Sequence, residues 1–362
     1  MKNEEWKECV LGDIIEFKNG RKRPENNGNF PVYGGNGILA YVDQYNYENC
    51  IAIGRVGAYC GSIYYEKNKC WISDNAIVAT AKGQNCIVFC CYLLKTLCLN
   101  KRCIGTGQPL LTQEILNRIV VSIPSVECQN KIAKILSALD DKIELNNAIN
   151  RNLEEQAQAL FKNWFVDFAP FGGKMPEDWQ IGKLSDIAEY EKQKINISEL
   201  TEETYYSTEI MLPNRGGICR ATNLPSIDQT TKCFPGETII SNIRPYFKKI
   251  FYCTENIAGC STDVLCFKPK KKTLEAYNYF LLCSDNFFDY MIKGSKGTKM
   301  PRGDKTQIMN YDVVVPTESV ISDFNTVVSN ILQQTNNNKK ENECLAKLRD
   351  TLLPDLMSGE VD

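Results

Sequence analysis

Residues 131–165 read KIAKILSALDDKIELNNAINRNLEEQAQALFKNWF. Apolar side chains recur at Ile132, Leu136, Leu139 and Ile143, and resume beyond Asn146 at Ile149, Leu153, Ala157, Leu160 and Trp164. Steps alternating between three and four residues are the 3.5-residue period of a coiled-coil seam, so the spacing predicts one long helix over 126–165. A second seam runs through Phe324, Val327, Ile331, Thr335 and Asn338, then Asn342, Leu345, Leu348, Leu352 and Leu356, and predicts a partner helix over 319–357. Between Thr335 and Asn342 that seam is polar and would make a poor lone helix. Asn146 and Asn338 lie near the two midpoints. Packed as a pair, the helices would let these amides hydrogen-bond to each other, fixing the register at some cost in stability, with Leu139, Leu153, Ile331 and Leu345 as apolar seam neighbours. The two asparagines would meet in a parallel or an antiparallel pair.

The direction is decided by a repeat. Trp6, Leu11, Asp13 and Ile14 recur as Trp179, Leu184, Asp186 and Ile187, while Gly105-Thr106 with Pro109 recurs as Gly297-Thr298 with Pro301. The second offset, 192 residues, also carries the strand-like run ending at Pro124 onto the one ending at Pro316. It carries Asn146 onto Asn338, Asn150 onto Asn342 and Leu160 onto Leu352. The chain is a degenerate tandem duplication with about 19 extra residues in its second half. Two equivalent halves related by a pseudo-two-fold axis favour antiparallel helices. The expected fold class is α+β: two α/β domains related by pseudo-two-fold symmetry and separated by a pair of long antiparallel coiled-coil helices. The expected boundaries are 1–125 for the first domain, 126–170 for the central helix, 171–317 for the second domain and 318–362 for the distal helix. Helices of nearly 40 residues would span about 60 Å. Pro170, Gly172, Gly173 and Pro176 end the first of them. Inside the domains, Cys50–Tyr65 and Trp71–Ala81 read as strands and turns. Residues 86–100 and 274–289 read as shorter helices, and Tyr33-Gly-Gly-Asn36-Gly37 and Gly105-Thr-Gly-Gln108-Pro as tight turns.

Composition excludes much chemistry. The 362 residues contain no histidine, which removes Ser-His-Asp and Cys-His nucleophile pairs, a neutral-pH imidazole base and His-type zinc sites. Gly-Lys occurs only before Met175 and Leu184, so there is no phosphate-binding loop with a following Ser or Thr. No Pro-Pro occurs, which an amino-methyltransferase motif would need. Pro354-Asp355 with Glu360 superficially resembles a nuclease site, but Asp362 stands where such a site has Lys. No catalytic residue and no metal ligand set is expected. Seventeen cysteines without a Cys-x-x-Cys pair, behind an N-terminus with no apolar leader, read as core filling in a reducing, cytoplasmic protein. No apolar run is long enough for a membrane span.

Basic clusters remain. Arg21-Lys22-Arg23 and Arg55 fall in the first domain; Arg244, Lys248, Lys249, Lys296, Lys299 and Arg302 fall in the second, several among glycines that would let a backbone approach phosphates. Lys268-Pro-Lys-Lys-Lys272 reads as a solvated turn. A net charge of -2 with basic patches on both domains fits DNA binding, the carboxylates lying on the helices and outer faces. The candidate DNA contacts are Arg21, Lys22, Arg23, Arg55, Arg244, Lys248, Lys296, Lys299 and Arg302. Each is also an ordinary surface cation by type. Trp164, Phe165 and Phe168 are either docking aromatics or caps of the helix pair's own core.

Three stretches, residues 123–144, 150–168 and 341–359, together with the Trp-to-Leu openings of both domains, resemble the specificity subunits of type I DNA restriction-modification systems, over essentially the whole chain. The resemblance implies a non-catalytic reader of double-stranded DNA. Each domain would take one half of a bipartite target and the helices would set the spacing, with half-site centres roughly 34–36 Å apart. It also implies docking of two modification subunits, which bind S-adenosylmethionine and methylate a flipped-out adenine at N6, and of two restriction subunits that use ATP and Mg2+. No cofactor is expected on this chain itself.

Overall fold

Why Leu-x-Asp-Ile occurs twice is visible in the backbone. In a computed structural model that describes residues 6–105 and 107–359, Leu11–Ile14 and Leu184–Ile187 are one-turn helices, each entered from a short strand. The aspartate in each accepts an N–H at the helix start: Asp13 from Val10 at 3.2 Å, and Asp186 from Lys183 at 2.7 Å. The leucine in each is fully buried. The entering strands, Lys7–Val10 and Gln180–Lys183, pair antiparallel with Val120–Ile123 and Asp312–Val315, the strands that lead into the two long helices.

The chain divides into two compact units, Met1–Asn146 with Lys340–Asp362, and Asn147–Lys339. The first contains a four-stranded antiparallel sheet, ordered Ile15–Asn19, Ala76–Ala81, Cys50–Gly54, Ile63–Glu66. A three-stranded sheet stands beside it, built on the hairpin Asn27–Gly34 and Gly37–Val42, whose tight turn is the expected Gly-Gly-Asn-Gly. The second unit repeats the four-stranded sheet as Ala188–Tyr190, Val264–Pro269, Thr238–Ser241, Ile250–Tyr252. Its other sheet has four strands rather than three.

Behind the first sheet lies the helix Ile87–Thr96, followed by a 3-10 turn at Leu99–Arg102. In the second unit the helix expected over 274–289 is two helices, Glu275–Cys283 and Asp285–Lys293. The break is at Ser284, whose hydroxyl accepts the Phe287 N–H and starts the second helix afresh.

Two long helices run Val126–Phe165 and Glu318–Ser358. Within the first unit Asn146 lies against Asn342 and Asp140 against Arg349, so the two segments are antiparallel. Within the second, Asn150 meets Asn338 and Phe161 meets Phe324, with the same sense. Each segment enters its unit's core: Ile132, Leu136 and Leu356 in the first, Ala157, Phe161, Phe165 and Phe324 in the second. Leu139, Leu153, Ile331 and Leu345 are half-buried along the seam.

Two seam expectations are corrected. Asn146 does not bond to Asn338. It donates to Asn342 at 2.9 Å and to Glu341 at 2.7 Å, while Asn338 donates to Asn150 at 2.7 Å and Asn150 donates to the Thr335 carbonyl at 3.2 Å. This register gives all four asparagines a partner. The second correction concerns Ile149, Val327 and Leu348, which are exposed; Asn150, Val328 and Arg349 turn inward instead.

An Asn338→Ala variant should lose about 1 to 2 kcal/mol of stability in urea titrations, because the buried Asn150 carbonyl oxygen loses its donor. Replacing both Asn150 and Asn338 by Leu should recover the loss, since neither amide of the pair is then left facing an apolar partner. An unchanged urea midpoint for Asn338→Ala would show that the pair contributes nothing.

Trp164, Phe165 and Phe168 serve the core. The Phe165 ring meets Tyr277 at 4.8 Å, Phe324 at 5.0 Å and Trp179 at 5.9 Å, while Trp164 packs on Phe324 and Phe168 on Trp179. Eleven of the seventeen cysteines are buried, which places most of them in the core as filling. Pro354 and Asp355 lie within the distal helix; Glu360 and Asp362 lie outside the described residues. Among the described residues, no helix is long and apolar enough to cross a membrane.

Candidate nucleic-acid interface

In each unit an arginine stands where a central strand ends and a 3-10 turn begins. Arg55 follows Cys50–Gly54 and precedes Gly57–Tyr59; Arg244 follows Thr238–Ser241 and precedes Pro245–Phe247. Each of these segments is held against a short Gly-Thr loop. The loop of the first unit is closed by paired Ile104–Leu110 hydrogen bonds of 2.9 Å, and that of the second by Lys296–Arg302 bonds of 2.8 and 2.9 Å. Gly105 and Gly297 open the loops with φ of +95° and +99°, left-handed backbone that glycine adopts without a Cβ clash. The proline carbonyl of each loop accepts an N–H from the arginine segment, Pro109 from Gly57 at 3.0 Å and Pro301 from Arg244 at 2.8 Å. Thr106 lies outside the described residues.

The second unit gathers five of the candidate cations on this feature. Arg244 and Lys248 flank one 3-10 turn, Ile243 is bridged to Arg302, Arg302 to Lys296, and Lys299 lies inside the loop. Their availability differs. Lys248 and Arg215 both bind Asp285 at 2.6 Å, and their backbones are both left-handed, so this ion triplet pins the turn. Hydrogen bonds from the same two cations hold the Asp285 carboxyl down at about 2. Lys296 pairs with Asp304 at 2.5 Å and Arg302 with Asp263 at 2.9 Å. Among the described residues, Arg244 and Lys299 have no acidic partner, and the buried Arg244 Nε has no hydrogen-bond acceptor.

Arg244 lines a cleft of about 510 Å3 together with Tyr205, Thr208, Lys249, Asp263 and Met300. Lys249 donates to the Thr208 carbonyl at 2.7 Å, and burial lowers its pKa. A guanidinium with an unfilled donor beside a partly desolvated ammonium is suited to a phosphodiester.

In the first unit Arg21 and Arg55 meet one turn, and Lys22 and Arg23 follow Arg21 directly in the chain. Arg21 is bridged to Ser73, the Gly20 N–H reaches the Ala76 carbonyl, and the Arg55 N–H reaches the Asn75 carbonyl at 3.0 Å. None of the four cations has an acidic partner among the described residues. Arg55 lines a separate cleft of about 520 Å3 with Asn19, Gln113 and Arg118.

Sequence reasoning missed how the two turns correspond: on the Gly-Thr loops Val56 occupies the place of Ile243 and Gly57 that of Arg244, an offset of 187 that matches neither repeat offset, so Arg55 and Arg244 lie near each other in the pattern but are not equivalent positions. It also passed over Arg215, for which no sequence signal exists, because its role depends on a left-handed backbone. Among the described residues no group of three Cys, Asp or Glu side chains is placed to hold a metal ion.

Residues 3–155 and 176–345 both match the family described as type I restriction modification DNA specificity domain. The chain belongs to that family. A relative in the specificity-domain family, the MjaIX specificity subunit of the type I restriction enzyme from Methanocaldococcus jannaschii, is 28% identical over 289 residues. The match covers 71% of this chain and 64% of that protein, so the chain aligns to a little under two thirds of that relative's length. The HindI specificity subunit from Haemophilus influenzae is 24% identical over 331 residues, covering 70% of this chain and 71% of that one. A crystal structure of a type I restriction-modification S subunit from M. genitalium has a similar fold, with a TM-score of 0.69 at 17% identity over 98% of this chain and 96% of that one. The duplicated specificity domain therefore accounts for the repeated sheet, the repeated Gly-Thr loop and the two long helices.

Proposed function

We propose that this chain is the non-catalytic DNA reader of a type I restriction-modification complex in the cytoplasm, each domain taking one half of a bipartite double-stranded target. The observation that carries the reading is the repetition, in two family-matching halves of one chain, of a 3-10 turn braced on a Gly-Thr loop with an arginine beside it. One chain with two readers recognises two different half-sites, and the long helices between them set the spacing. In this reading Arg21, Lys22, Arg23, Arg55, Arg244 and Lys299 approach phosphates directly. Lys248, Lys296 and Arg302 shape the loops through their carboxylate partners and add positive charge.

The helices dock two modification subunits, which supply S-adenosylmethionine and the transfer to adenine N6, and two restriction subunits, which supply ATP hydrolysis and Mg2+-dependent cleavage. This chain binds none of those cofactors itself. Its part is to place the reactive subunits over the right adenines, so specificity follows the reader and chemistry follows the partners.

A base-resolution map of modified adenines in the host genome, before and after deletion of the gene, tests the reading. One bipartite methylated motif should disappear on deletion and return on complementation. An unchanged map with active modification subunits present, or methylation by the purified chain with S-adenosylmethionine alone, would overturn it.

A further inference from the structure

We infer that position 108 in the first domain and position 300 in the second are equivalent base-reading positions, Gln108 by hydrogen bonds and Met300 by apolar contact; the inference rests on the DNA-reading role proposed above. The argument starts from what the two Gly-Thr loops share. Both are closed by a paired backbone bridge, open on a positive-φ glycine, and end on a proline whose carbonyl is tied to the arginine segment. That frame holds each loop at its two ends. A loop anchored in this way suits the reading of a base edge, because side-chain donors must arrive in a set geometry.

Between the Thr and the Pro the loops differ at both positions: Gly107-Gln108 in one, Lys299-Met300 in the other. All four residues are exposed. A common frame carrying different exposed side chains is expected of two readers that take different half-sites.

The side chains themselves point the same way. The Gln108 amide has no hydrogen-bond partner among the described residues, and it offers a donor and an acceptor together, the pair that matches adenine N6 and N7. Met300 is 50% exposed although apolar, on the rim of the cleft that holds Arg244. Its thioether can discriminate only by contact with an apolar group, and the thymine methyl is the one that the major groove presents. Arg244 beside it would hold the backbone while Met300 meets the base. Positioning and reading would then be divided between neighbours in the second domain.

The test uses the full chain assembled with its modification subunits, with the methylated motif mapped for each variant. Gln108→Ala should relax one position of one half-site, cutting discrimination there by about 10-fold or more, and leave the other half-site intact. Met300→Gln should change or relax one position in the other half-site. Because both side chains are exposed, thermal melting should match wild type and exclude misfolding. Methylation of the unaltered motif by both variants would overturn the inference, as would a uniform fall in rate with the motif unchanged, since that is how a phosphate contact behaves. Neither result touches the DNA-reading role, which fails only if the wild-type complex produces no bipartite motif.

Discussion

An Arg244→Glu variant, assembled with modification subunits, is expected to bind its target DNA about 100-fold more weakly than the wild-type complex in dilute salt. The loss combines a charged hydrogen bond to phosphate, worth about 1.5 to 3 kcal/mol, with repulsion by the new carboxylate; about 2.7 kcal/mol corresponds to 100-fold. Arg244 is the position of choice because its Nε is buried without an acceptor and no carboxylate among the described residues neutralises it. Its backbone adds a second reason. Arg244 has φ of +50° immediately before Pro245, a conformation costly for a non-glycine residue, and bonds to Pro301 and Phe247 hold it there. Strain maintained around an unsatisfied cation is characteristic of a binding position. Titrations at several salt concentrations should show a logarithmic slope shallower by about one to two, since fewer counterions are released. Lys296→Ala is the contrast: Asp304 already engages that ammonium, so the effect should be severalfold at most. Wild-type affinity for Arg244→Glu would remove the arginine turn from the interface.

Much of the architecture could be read from the sequence because it is repeated or periodic. The two long helices follow from their seams, and the duplication from fixed offsets at Trp6, Leu11 and Asp13 and at Gly105 and Pro109. What failed did so for local reasons. The seam pattern admits either Ile149 or Asn150 as the inward residue, and hydrophobicity favours the wrong one; the satisfaction of four asparagines decides the matter in space. The correspondence of the two turns is hidden because Val56 and Ile243, paired to equivalent loop residues, are 187 residues apart, a spacing that neither repeat offset predicts. Charge alone marked the candidate cations but could not separate Arg244, with an empty donor, from Lys248, which is committed to Asp285. Nor does composition distinguish a buried glutamate from the many exposed ones, and the second domain contains one of consequence.

Glu237 is only 3% exposed, in the sheet of the second unit, and burial raises its carboxyl to about 7. The Phe234 N–H and the Cys266 thiol both donate to its Oε2, at 2.8 and 2.9 Å, and oppose that rise, while the neighbouring Glu191 charge adds to it. Glu191 itself stays ionised. Its burial is outweighed by the N–H groups of Gln193 and Lys192 and by Lys268, which hold its pKa below the usual value. Oε1 of Glu237 and Oε2 of Glu191 accept no hydrogen bond, the latter having only the Lys268 ammonium at 3.5 Å, and a proton on Glu237 shared with Glu191 satisfies both. A carboxyl raised from its ordinary 4.5 to about 7 on folding contributes stability that is complete below pH 4.5 and is lost as pH climbs through 7. The shift corresponds to about 3 kcal/mol above pH 8. Glu237→Gln keeps the shape, lets its carbonyl oxygen accept from Phe234 and Cys266, and offers a permanent N–H to Glu191. The variant should therefore match wild type near pH 4.5 and exceed it by about 3 kcal/mol at pH 8 in chemical denaturation of the complete chain. A difference that does not change between those pH values would mean that Glu237 is not protonated in the fold, and that the two carboxylates are accommodated without a shared proton.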